Sequence, residues 1–174
     1  MLRLTRWDGP RRTNLIVLII FGVAFGFVEA AVVYYLRNLV HFDGQVVIPH
    51  YRVLLNLGFI TFVSPVHTIL LTRRISDVEV FRESATIVML ACVAYIAATK
   101  WLQRLGAFLV CFACWDLAYY LFLRIVDNWP RSFLTRDVFF LIPVTWIGPV
   151  ITPMVLSIAI LLLGSWIYLD PSSP

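Results

Sequence analysis

Two carboxylates stand inside long apolar runs, Glu29 within LIVLIIFGVAFGFVEAAVVYYL and Asp116 within LGAFLVCFACWDLAYYLFLRIV. An unpaired ion in hydrocarbon costs at least roughly 3 kcal/mol on insertion scales, so each acid needs a partner or a proton. Glu29 lies seven residues before Leu36, and Asp116 eleven after Leu105. At helical rise their depths differ by only about 6 Å, and the two acids are expected to line one site. Gly22, Gly26 and Ala30 form a small-xxx-small series beside Glu29, which turns the acid towards neighbouring helices.

Asp116 is followed at i+3 and i+4 by Tyr119 and Tyr120, with Arg124 one turn beyond. Acid and phenols at that spacing make a polar ladder that suits proton transfer, or a set of partners that merely fixes helix packing. Glu83 and Asp137 open two further apolar runs beside Arg82 and Arg136. They suit helix N-termini, or a binding site at the membrane surface, and Glu83 comes within geometric reach of Arg124. The candidate binding set is therefore Glu29, Asp116, Tyr119, Tyr120, Arg124, Glu83 and Asp137, and no catalytic role is assigned.

Metal chemistry is weakly supported. Cys111 and Cys114 share a helical face, with Cys92 at similar depth in the preceding run, so a soft-metal pocket can be drawn; buried cysteine is also an ordinary small apolar residue. His67 is a lone intramembrane histidine, and His41, Asp43 and His50 have no strong ligand spacing. No metal ligand set and no cofactor are assigned, and no phosphate loop, dinucleotide fingerprint or hydrolase elbow is present.

The elements that must carry these residues are membrane spans. Of 174 residues, 61% are hydrophobic and 14% charged, and the mean hydropathy is +0.88, which excludes a water-soluble domain. The net charge of +4 fits flanking charges that set orientation, not nucleic-acid binding. Hydropathy predicts an all-α, five-span bundle forming a single domain over 1–174, with spans at about 15–36, 53–71, 84–99, 105–126 and 138–163. The fifth, with Pro143, Pro149 and Pro153, cannot be one straight helix and is expected to be broken around a cavity. Five crossings put Arg3, Arg6, Arg11, Arg12, Arg73, Arg74, Arg82, Arg124, Arg131 and Arg136 on one side, against Arg37, Arg52, Lys100 and Arg104. That asymmetry predicts an N-terminus inside and a C-terminus outside the inner membrane.

The phrases FGFVEAAVVYYLR, FRESATIVML, WDLAYY and RDVFFLIPVTWIGPVITP resemble those of a family of small prokaryotic multi-pass integral membrane proteins. The resemblance touches four of the five expected spans. It implies a multi-pass helical fold and carries over no activity and no cofactor.

The expected function is binding or transfer of a proton, ion or small polar molecule at the buried acids. Two other classes stand beside it: an accessory or scaffold subunit of a larger membrane complex, and a membrane-embedded enzyme using the acids as metal ligands or an acid–base pair. The expected partners are the lipid bilayer and either a second copy of the chain or a larger membrane complex.

Overall fold

The computed structural model describes residues 11–39, 52–64 and 73–170, without the side chains of Arg73 and Arg74. Long runs free of internal proline form α1 (Arg11–Leu39), α2 (Arg73–Ala97) and α3 (Trp101–Asp127), and α4 (Ile151–Leu169) follows the last strand. All four are long and apolar enough to cross a membrane. Helix satisfies the backbone internally, which hydrocarbon demands.

The fold corrects two expectations. The expected helix at 53–71 is instead an antiparallel hairpin, β1 (Arg52–Asn56) and β2 (Thr61–Ser64), and the rest of that segment lies outside the described residues. Its break is local: Gly58 takes φ +83°, and its N–H donates to Asn56 Oδ1 at 2.8 Å, a turn that apolarity averages do not register. The expected fifth span is divided. Its first half forms β3 (Arg136–Phe140) and β4 (Thr145–Pro149), and only the second half is helix. Pro149 closes β4, whereas Pro153 is the third residue of α4, where a backbone N–H has no intrahelical acceptor to lose. The described residues are therefore mostly helical, with a sheet and four helices long and apolar enough to cross a membrane, and they do not support an all-α five-span bundle.

The strands of both hairpins join into one antiparallel sheet of order β1-β2-β4-β3. Trp146 opposes Phe62 on one side and Phe140 on the other, tying the α1–α2 connection to the α3–α4 connection.

Helix directions follow from the packing. Gly22 meets Cys111 and Cys114, Gly26 meets Trp115 and Ala118, and Arg37 pairs with Asp127, so α1 and α3 run parallel. Gly106 meets Gly164 and Tyr168, while Asp116 meets Ser157, so α4 runs antiparallel to α3. The short α2–α3 connection makes α2 antiparallel as well. Consequently the sheet sits at one end of the bundle. The start of α1, the α2–α3 turn and the end of α4 sit at the other, where Arg11 Nη1 donates to the Asp170 carbonyl at 3.4 Å.

The four helices put Arg11 and Asp170 at the same end of the bundle, which does not support the placement of the two termini on opposite sides. The basic residues redistribute too. Among the described residues, Arg11, Arg12, Lys100 and Arg104 belong to the terminal end. Arg37, Arg52, Arg73, Arg74, Arg124, Arg131 and Arg136 belong to the sheet end. The ten-to-four division of the five-span reading does not carry over to this arrangement. Single cysteines at the exposed positions Thr13 and Thr99, in a background lacking Cys92, Cys111 and Cys114, should label from one face with an impermeant maleimide. A cysteine at exposed Ser132 should label from the other. Thr13 and Thr99 on opposite faces would restore an odd number of crossings.

Candidate functional site

Counting along α3 from Trp101 to Asp127, the buried face is apolar from Gly106 as far as Trp115 and becomes polar at Asp116. The acids gather from there to the sheet. Glu29 is buried on the α1 face that carries Gly22, Gly26 and Ala30, and its carboxylate is held by Arg82 Nη1 of α2, 2.6 Å from Oε2. Arg82 also donates from Nε and Nη2 to Glu79 Oε2 at 2.8 and 2.7 Å. One guanidinium thus bridges α1 and α2 through two buried carboxylates.

Glu83, one turn after Glu79, accepts the Leu141 backbone N–H on both carboxylate oxygens at 3.0 and 3.1 Å. It is neither a helix cap nor a partner of Arg124, because α2 begins at Arg73 and Glu83 lies well inside it. Arg124 is exposed and closes the end of α3: its Nη1 donates to the Asn128 and Pro130 carbonyls around the left-handed Asn128. Arg124 therefore stands outside the cluster.

Asp116 accepts the Ser157 hydroxyl of α4 at 2.7 Å, and Asp137 accepts the Tyr120 hydroxyl at 2.8 Å. Tyr119 packs edge-on against Tyr120, with the ring centroids 4.8 Å apart. Arg37 pairs with Asp127 at 3.0 Å and lies 3.9 Å over the Trp129 ring, so the polar column reaches the surface at that pair. Asp137 is on β3 rather than at a helix N-terminus. It hangs from the sheet into the bundle and links the two.

Burial pushes the Asp137 carboxyl up to about 6, against the opposing pull of Arg37 and the Tyr120 hydrogen bond. A raised folded-state value means that the protonated form favours folding. The contribution is fully present below the ordinary carboxylate value of about 3.9 and is lost as pH rises through about 6. Melting temperature in detergent should therefore fall across that window in the wild type and flatten in Asp137→Asn, and an unchanged slope would contradict the assignment.

Sequence reasoning passed over Glu79, Ser157, the pairing of Arg82 with Glu29 and the pairing of Arg37 with Asp127. The signal for α2 was present, since Ser76, Glu79, Glu83 and Thr86 recur at helical period and are all buried, but the expected span began only at 84. The cysteines do not share one environment: Cys92 is exposed, whereas Cys111 and Cys114 are buried against Gly22. Among the described residues no group of three or more His, Cys, Asp and Glu side chains is arranged to hold a metal ion. His41, Asp43, His50 and His67 lie outside those residues.

Four apolar helices around an interior lined by acids place the chain among multi-pass helical membrane proteins. Comparison with family models, with curated proteins and with solved structures finds no match that narrows that class.

Proposed function

We propose that this chain is a multi-pass protein of the cell's inner (plasma) membrane that binds and exchanges a proton at the cluster of Glu83, Asp116 and Asp137, with Tyr119 and Tyr120 between the last two. One observation carries the reading: the hydrogen bonds held by these three acids come from neutral donors, the Leu141 N–H, the Ser157 hydroxyl and the Tyr120 hydroxyl. Glu29 and Glu79, by contrast, share Arg82. A carboxylate removed from water without a matched cation is costly, and taking up a proton relieves the cost. The acid excess thus supports an exchangeable proton rather than an anionic ligand.

The test is infrared difference spectroscopy on detergent-purified protein through a pH step, with Asp116→Asn and Asp116→Leu alongside. The wild type should show a carboxylic-acid carbonyl band that changes with pH, and Asp116→Asn should lose the Asp116 component while folding normally, since an amide still accepts from Ser157. Asp116→Leu should lose both the band and part of the folded yield. A spectrum unaltered by Asp116→Asn would defeat the proton reading and move the weight to an accessory-subunit role.

A further inference from the structure

Taking the proton-binding reading as its basis, we infer that the acid site communicates with one face of the membrane only, the face that carries the sheet. The two halves of the bundle differ in kind. Between the terminal end and Asp116, α3 presents Ala107, Val110 and Cys111 to Leu18 of α1 and to Leu90 and Ala94 of α2, and each of these is almost completely buried. From Ala107 to Cys114 this apolar plug extends about 11 Å along the helix axis.

The plug is also tight. A Cβ added at Gly164 of α4 would stand 2.7 Å from Leu109 Cβ and 3.0 Å from the Gly106 carbonyl, so α3 and α4 are in backbone contact and leave no width for water between them. Asn14, Gln103 and Tyr168 lie within a turn of the helix ends, beyond the plug, and the buried Trp115 indole N–H stands at its inner edge beside Asp116.

On the other side of Asp116 the composition reverses. Beyond Asp116, Tyr119 and Tyr120 follow on α3, Tyr120 bonds Asp137 of the sheet at 2.8 Å, and Arg37 pairs with Asp127, whose side chain is 27% exposed, at the same end. Hydroxyls and carboxylates at the sheet end can exchange a proton, whereas the plug holds no titratable carboxylate or phenol among the described residues. The site is therefore a half-channel, a pocket filled and emptied from the sheet end, and not a conduit across the bilayer.

The experiment reconstitutes the full chain in vesicles. The two insertion orientations are separated by impermeant-maleimide labelling of a single cysteine at Ser132 or at Thr99. With the lumen strongly buffered, the external pH is stepped and the Asp116 carbonyl band is followed. The full pH-dependent shift seen in detergent is expected when the sheet face is outward, and loss of the shift when the terminal face is outward. A response to the terminal face, to both faces or to neither would overturn the half-channel. Such an outcome differs from failure of the proton reading itself, in which no titrating Asp116 band exists in detergent at all.

Discussion

Removing the Arg82 guanidinium, as in Arg82→Ala, is expected to lower stability more than any other single side-chain deletion in the bundle. Arg82 neutralises Glu29 of α1 and Glu79 of its own helix, and its side chain is only 26% exposed. Taking one partner from a buried pair strands the other charge, at about 3–5 kcal/mol, and here two carboxylates are stranded together. The exposed fraction argues for the lower end of that range. The bridge also matters mechanically, because among the described residues α1 and α2 scarcely touch otherwise. Thermal unfolding in detergent should show a large loss for Arg82→Ala and recovery of most of it in the combination Glu29→Gln, Glu79→Gln and Arg82→Gln, which removes every charge of the triad. Equal stability of Arg82→Ala and the wild type, within about 0.5 kcal/mol, would reduce the triad to a surface contact.

A comparable loss is expected from Gly26→Ile. A Cβ at Gly26 would lie 2.6 Å from both the Ala118 Cβ and the Trp115 carbonyl, and 3.0 Å from the Tyr119 amide. Two of those atoms are backbone and cannot swing aside, so α1 must lift from α3. Overpacking of a rigid contact costs roughly 1–3 kcal/mol and more where backbone must move. Separation there also carries Glu29, one turn on, away from Arg82. Val28→Ile, on the exposed face of the same turn, serves as the control and should leave the melting temperature unchanged. A Gly26→Ile protein that melts with the wild type would show that α1 and α3 are not in backbone contact at this level.

Much of the cluster is legible in the amino-acid sequence because membrane burial makes charge conspicuous. Glu29 and Asp116 interrupt runs of Leu, Val, Phe and Ala, and the structure places both inside the bundle with polar partners, Arg82 and Ser157. The tyrosines at i+3 and i+4 stand out for the same reason, and Tyr120 does bond an acid. Its partner is not Asp116, however, but Asp137, 17 positions away on β3. Helical spacing identifies neighbours on one helix and says nothing about which strand descends onto them.

What the amino-acid sequence by itself determined is the environment and the scale: too much apolar surface for water, helices long enough to cross, and acids too costly to leave unpaired in lipid. Those follow from composition and local period, which are properties of a segment alone. Only the tertiary structure decided which apolar segments form long helices, the shared end of Arg11 and Asp170 and the membership of the site. The residues 52–64 are as apolar as a span yet form strands. An Asn56–Gly58 turn breaks them locally, and Trp146 of β4, drawn from the other helix connection, provides a sheet partner for Phe62. Arg82 and Glu83, read as charges at a helix end, became interior once α2 extended back to Arg73. In both places the deciding contacts join segments far apart in the chain, and a non-local pairing leaves no trace in the hydropathy of either partner.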